Sequence, residues 1–383
     1  MPSPPVKAPI AEKEPERHVR NNEVWREDYT SYQPPAPASG MYWSRYKKAM
    51  PHALRGHSVN LVGDQLYVFG GANQKTYYNK LYIMDMDTLT WRQPNTLGPS
   101  PSPCRGHSTN VIECQVGSRK SAHLIVFGGG NGPHYFNDIY TLNCGMTGQK
   151  KTRGNLFSPS IDTLTWSQPR VKGRVCSPRR AHVTCVWRKK IVVVGGGDGD
   201  RPLADVHMLD IANPEEVTWA TLAPTGDAPV ARGYHTGNLV GHRLVVFGGS
   251  DGMECFSDLY VLDLEKCHWT AVSLSQSIPR FAHTATQVGS YLFIVGGHNG
   301  GVYSSDVLVL NLVTMAWESR KIYGAVPPAR GYHSAVLYDS RLYVLGGYDG
   351  RRVYDDLVML ELSSCAYLPQ ITNFDIDLSE LQE

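Results

Sequence analysis

Short apolar runs recur along this chain at a nearly constant interval, separated by turn-rich stretches. Leu244-Val-Val-Phe247 and Leu342-Tyr-Val-Leu345 are uninterrupted apolar runs, each followed by a diglycine. That pattern predicts a strand covered on both faces. A second kind of run follows each diglycine, as in Asp258-Leu-Tyr-Val-Leu-Asp263 and Asp306-Val-Leu-Val-Leu-Asn311. Its β-branched and aromatic residues predict a further strand. The unit that contains these runs begins with an Arg close to a His and ends on an aromatic residue. It occurs six times, at His57, His107, His182, His235, His283 and His333, with diglycines at Gly70-Gly71, Gly128-Gly129, Gly195-Gly196, Gly248-Gly249, Gly296-Gly297 and Gly346-Gly347. Most steps are near 50 residues, but His107 to His182 is 75. Extra residues around 113–122 and an insertion between Asp138 and Trp166 account for the difference, because the acid-to-Trp spacing elsewhere is 11.

A repeat of this size points to one supersecondary unit that cannot bury its faces alone. The diglycine permits positive φ and close backbone approach. Trp91, Trp166, Trp219, Trp269 and Trp317 each offer a large apolar area to wedge between neighbouring sheets. Six units of four antiparallel strands packed in a ring solve the burial problem, so the expected fold is an all-β, six-bladed propeller. The series R-G-x-H, V-F-G-G, D-L-Y-V-L-D and W resembles the kelch repeat over about 41–368. That resemblance also implies one repeat per four-stranded blade. The last unit has Tyr367 where the others have Trp, and Pro369 follows it. Trp43 stands 12 residues ahead of Arg55, close to the 13 from Trp219 to Arg232, so a strand around Trp43 is expected to close the last blade. The alternative is that the Tyr367 segment completes its own blade.

Composition narrows the class. With 42% hydrophobic and 19% charged residues and a net charge of +2, the chain is neither a disordered polyampholyte nor a coiled coil. The 37 Gly and 25 Pro favour turns over long helices. No run of about 18 apolar residues occurs, and the start has no hydrophobic signal core, so a cytoplasmic protein without a membrane span is expected. The eight cysteines contain no C-x-x-C pair and are expected to be reduced and mostly buried. Between Ile139 and Gly197, eleven Lys and Arg face one acid, Asp162, a net +10 that leaves −8 for the rest of the chain. Such a basic sector suits an acidic or phosphorylated partner, with lipid or RNA as further options and nucleic acid the weaker one. The expected organisation is a Pro-rich tail over 1–40, in which Pro34–Pro37 could adopt polyproline II, the propeller over 41–368, and an acidic tail over 369–383.

Candidate chemistry is sparse. Six equivalent histidines are expected to make structural hydrogen bonds beside a central channel, because a role repeated in every blade does not mark one catalytic centre. The nearby arginines, Arg55, Arg105, Arg179, Arg232, Arg280 and Arg330, are expected to pair with loop acids and to face the channel mouth. The sequence contains no G-x-x-x-x-G-K-[ST], G-x-S-x-G or H-E-x-x-H. Galactose oxidase is also a kelch-type propeller, and Gly233-Tyr-His235 and Gly331-Tyr-His333 superficially resemble its copper-binding Tyr and His. Both triplets are explained by the repeat frame, so no cofactor, metal or enzymatic activity is expected, and a galactose oxidase-like copper enzyme or another metal-dependent enzyme on the same propeller is the alternative. Resemblance to peptide-binding kelch domains implies a recognition face on the loops after each diglycine. Its candidate residues are Asn73, Lys75, Asn131, His134, Asp198, Asp200, Arg201, Asp251, Glu254, His298, Asn299, Asp349 and Arg351, with Tyr234 and Tyr332 at the turns before the histidines. The expected function is a monomeric protein-binding adaptor or scaffold. The layout is similar to that of small kelch proteins acting in small-GTPase, polarity or trafficking pathways.

Overall fold

The computed structural model describes residues 40–46, 49–116, 119–146, 164–362, 374 and 376, all of them within the unit Ala36–Glu383. Every regular element among them is a strand. The apolar runs before the diglycines form strands such as Gln65–Phe69, Arg243–Phe247 and Arg341–Leu345, each with four consecutive buried residues. Each pairs antiparallel on both sides, so backbone polarity is satisfied within the sheet while both faces are covered. The following strands, Leu259–Asp263 and Val307–Asn311, start one residue later than the sequence pattern suggests. The cause is that Asp258 and Asp306 turn their carboxylates onto Arg232 and Arg280 instead of entering the ladder.

Six sheets result, each built on four antiparallel strands, and their innermost strands close a cycle. Ser58–Val62 touches Ser108–Val116, which touches Val183–Trp187, then Thr236–Val240, Thr284–Val288 and Ser334–Tyr338, which returns to Ser58–Val62. The fold is therefore the six-bladed propeller expected from the repeat. Blade 6 takes its outer strand from the beginning of the chain. Met41–Tyr46 pairs antiparallel with Leu357–Glu361, with Trp43 opposite Leu360. Tyr367, the alternative closing residue, lies outside the described residues, as do the Pro-rich segment 1–39 and residues 147–163 of the insertion.

Apolar clusters fill the seams between blades. Trp166 packs on Phe69 of the preceding blade at 5.1 Å, and Trp219 on Phe127 at 5.1 Å. Trp43, Trp166, Trp219 and Trp269 are all buried, each in a cluster shared with the preceding blade. Trp91 and Trp317 are only half-buried, so the wedge expected of all the tryptophans is incomplete at two seams. The long His107 to His182 step has its cause in blade 2, whose first hairpin is extended to Ser108–Val116 paired with Arg119–Phe127.

The repeat pattern misses one feature. After leaving a blade, the chain laces onto the outer edge of the next as a short parallel strand. Arg170–Gly173 pairs with Glu216–Leu222, Thr225–Gly226 with His268–Val272, and Ile322–Gly324 with Met41–Tyr46. A glycine makes this possible. At Gly324, φ is 84° and a Cβ would stand 2.3 Å from the Trp43 carbonyl oxygen. The lace covers an edge that would otherwise offer unpaired backbone groups to other chains.

Candidate functional site

Two ends of the central channel carry different chemistry. At one end, a cavity of about 290 Å³ is lined by the six repeat histidines and the residues after them. Each imidazole reaches under the preceding blade's diglycine. His107 shares a hydrogen bond with Ser58 at 2.9 Å, His182 with Ser108 at 2.9 Å, His283 with Thr236 at 2.9 Å and His333 with Thr284 at 3.0 Å. Four of the expected structural hydrogen bonds are therefore present. The pattern breaks at His235, where the preceding blade supplies Val183 instead of a hydroxyl, and at His57, where Ser334 donates to the backbone carbonyl instead. Burial lowers His107 to about 4 and His57, His235 and His333 to about 3, and drives His182 and His283 well below the usual range.

Between the histidines and the other end, the chain makes a floor. The residue before each histidine has φ between 53° and 64°, and its N–H donates to the carbonyl of the equivalent residue one blade back. Gly56, Gly106, Ala181, Tyr234, Ala282 and Tyr332 thus form a closed circle of six hydrogen bonds of 2.8–2.9 Å. Left-handed backbone at the non-glycine members costs roughly 1–2 kcal/mol each, and the circle holds them there.

The arginines of the repeat separate into two groups by register. Three residues before the histidine, Arg179, Arg232, Arg280 and Arg330 are buried. Each bridges a diglycine carbonyl and the carboxylate of Asp205, Asp258, Asp306 or Asp356. Burial raises the Asp205 carboxyl, but hydrogen bonds from Arg179 and His207 outweigh it and hold the group well below the usual carboxylate range. Removing one carboxylate strands a buried guanidinium. Asp356→Ala is expected to cost about 3–5 kcal/mol, read by chemical denaturation. A loss under 1 kcal/mol would show that Arg330 is satisfied by its backbone partners alone.

Two residues before the histidine, Arg55, Arg105 and Arg180 lie at the channel mouth. Among the described residues none of them has a carboxylate within 4.0 Å. They lie instead over tyrosine rings: Arg55 over Tyr348 at 4.4 Å, Arg180 over Tyr135 at 4.8 Å and Arg105 over Tyr77 at 5.9 Å. An aromatic belt continues around the floor. Tyr332 meets Tyr234 edge-on at 5.2 Å, Phe281 meets His298 at 5.0 Å, and His298 meets Tyr303 at 4.7 Å. Burial beside Tyr234 and Tyr303 pushes the Tyr332 hydroxyl far up, so it stays a neutral donor and acceptor.

The loops after the diglycines do share this face, but their residues divide by role. Asn73, Asp198, Asp251, Asn299 and Asp349 each accept two backbone N–H groups through one side-chain oxygen, which shapes the turn. The positions beyond them, Lys75, His134, Asp200, Arg201, Glu254 and Arg351, are exposed. Six candidate residues, Asp200, Arg201, Tyr234, Asp251, Glu254 and His298, border one cavity of about 490 Å³ together with Tyr135, Arg180 and the 95% exposed Met253. The remaining candidates, Asn73, Lys75, Asn131, His134, Asp198, Asn299, Tyr332, Asp349 and Arg351, are not in its lining.

Residues 38–308 match the family described as the Attractin/LZTR1 beta-propeller, and residues 282–374 match the KLHDC2/KLHL20/DRC7 Kelch-repeats domain. The chain belongs to the Attractin/LZTR1 beta-propeller family. Its relatives include acyl-CoA-binding domain-containing protein 4 of Arabidopsis thaliana, 29% identical over 57% of this chain and 31% of the relative. Host cell factor 1 of Homo sapiens is 28% identical over 60% of this chain and 12% of the relative. Host cell factor of Drosophila melanogaster is 27% identical over 61% and 16%. The match thus spans a third or less of the length of these relatives.

Within this kelch-type propeller, the basic stretch 139–197 contributes Arg180 to the channel mouth, whereas several of its other cations are paired. Lys172 and Arg170 of the basic stretch stand beside Glu216, Arg188 beside Glu265, and Arg179 beside Asp205. Lys150, Lys151 and Arg153 lie outside the described residues. The recognition reading had also passed over Tyr77, Tyr135 and Tyr303. They do have a signal, since each stands four residues after a loop Asn. In the copper alternative Tyr and His would act together, yet Tyr234 borders the loop-side cavity while His235 lines the histidine end. Among the described residues no group of three or more His, Cys, Asp or Glu is placed to hold a metal ion. The seven described cysteines are free, and burial pushes the thiols of Cys104, Cys144 and Cys185 up to about 12. No helix among the described residues is long and apolar enough to cross a membrane.

Proposed function

We propose that this propeller is a non-catalytic recognition module that binds an acidic segment of a protein partner in the loop-side cup. The observation that carries the reading is the contrast between its arginines. Four are buried and paired with aspartate carboxylates, whereas Arg55, Arg105 and Arg180 have no carboxylate within 4.0 Å among the described residues and lie over tyrosine rings. A stacked guanidinium is pre-oriented, so an incoming carboxylate or phosphate gains charge-assisted hydrogen bonds at little entropic cost. The aromatic belt and Met253 supply apolar contact, and the rigid ring leaves little to reorganise on binding. The seven free cysteines among the described residues support a reducing compartment such as the cytoplasm.

The test is a triple variant, Arg55→Ala, Arg105→Ala and Arg180→Ala, compared with wild type in affinity capture from native lysate after both are shown to melt alike. Partners that wild type retains are expected to fall by at least tenfold in the variant, in line with about 1.5–3 kcal/mol per charged hydrogen bond. Their capture should also weaken with added salt. An unchanged partner set at equal stability would place recognition outside the cup and overturn the reading.

A further inference from the structure

The seam between blades 4 and 5 takes in two residues from the C-terminal tail. At four seams the wedge residue, Trp43, Trp166, Trp219 or Trp269, is 2–3% exposed. At the 4/5 seam Trp317 is half-buried, with its indole N–H donating to the Gln276 carbonyl at 3.3 Å and its ring edge-on to Phe247 at 5.5 Å. Two residues from far along the chain enter the same cluster. Ile376 is fully buried among Val240, Phe247 and Leu259 of blade 4 and Leu310, Leu312 and Met315 of blade 5, and Phe374 packs partly buried beside it.

This seam is not adjacent to the strand that the tail leaves. The last described strand, Leu357–Glu361, belongs to blade 6, whose neighbours are blades 5 and 1. The tail therefore reaches past a whole blade to a seam in which blade 6 has no part. Phe374 and Ile376 enter one cluster two residues apart, which is the side-chain period of extended chain. In the sequence, acids alternate with them, at Asp375 and Asp377. The ring itself is complete without these residues, because Met41–Tyr46 already closes blade 6.

We propose that the seam between blades 4 and 5 is a peptide slot, occupied in cis by the chain's own C-terminal segment through Phe374 and Ile376. The slot is a second recognition site, separate from the axial cup. Its ligand is an extended acidic segment with two large apolar residues at i and i+2. While the tail is seated, an outside segment of the same kind is shut out, because a tethered competitor acts at an effective concentration on the order of millimolar.

The test uses the full-length chain and the variant Phe374→Ser with Ile376→Asp, in which a carboxylate would lose its hydration on entering the seam. The probe is a fluorescein-labelled peptide of residues 371–383, followed by anisotropy. The peptide is expected to bind the variant at least roughly tenfold more tightly than wild type, and a peptide carrying both substitutions to bind neither. Phe374→Ala alone, a milder change at the half-buried position, is expected to give an intermediate gain and covers the case in which the double variant does not fold. Equal binding to wild type and a folded variant, or binding to neither, overturns the proposal. Gel filtration adds a further arm, because a wild-type dimer that the variant dissolves would give the slot to a second copy's tail and overturn the cis assignment.

Discussion

Lowering the pH from 7 to 5 is expected to unfold this protein cooperatively, with the uptake of up to six protons. The six channel histidines are buried and held neutral, with His107 lowered to about 4 and His57, His235 and His333 to about 3. In the unfolded chain the same groups titrate near 6.5. The folded-state value is the depressed one, so stability is whole above about pH 6.5 and is lost as pH falls toward the folded values. At pH 5 each histidine takes away about 2 kcal/mol, or about 12 kcal/mol for the six. That equals or exceeds the whole stability of many domains, about 5–15 kcal/mol. The carboxylates paired with arginine act lower, below about pH 4, so the two causes separate on the pH axis. Urea melts at half-unit steps from pH 8 to pH 4.5 would read this directly. A midpoint that stays flat to pH 4.5 would show that the imidazoles carry charge, or reach water, in the native ring.

Deleting residues 1–48 is expected to abolish the cooperative melt, whereas deleting 1–38 leaves it in place. The first deletion removes Met41–Tyr46, and with it the outer antiparallel partner of Leu357–Glu361 and the strand that Ile322–Gly324 laces onto. It also removes Trp43 and Met41 from the cluster between blades 5 and 6. Losing one such indole costs about 3–5 kcal/mol, and the exposed sheet edge adds a route to aggregation. Differential scanning calorimetry on both deletions is the measurement. A wild-type transition in the 1–48 deletion would mean that another segment can take the place of the Trp43 strand.

How legible each part was depends on the range of the interaction. The repeat, the doubly buried strands before the diglycines and the closure at Trp43 could be read because each follows from spacing that recurs in the chain. Arg55 and Arg105 could not be distinguished from Arg232 or Arg280 in the same way. One residue of register separates a guanidinium buried on an aspartate from one stacked on a tyrosine at the mouth, and the pattern of Arg near His is satisfied by both. The turn-forming oxygens of Asp198, Asp251 and Asp349 present a similar ambiguity. An acid on a variable loop reads as a ligand for a partner until the backbone N–H groups two and three residues on are seen to hold it.

The sequence by itself determined that this is a kelch propeller of six blades, because a unit of four strands with two apolar faces can bury them only against copies of itself. It also marked which face would carry variable loops. Only the tertiary structure decided which of the described arginines pair with a carboxylate and which seam takes in the tail. The acid that pairs with Arg179, Arg232, Arg280 or Arg330 lies 26 residues away, and the tail at Phe374 and Ile376 fills a seam between two blades that are not its own. Such pairings depend on how the ring brings distant segments together, and the local pattern of residues does not encode that distance.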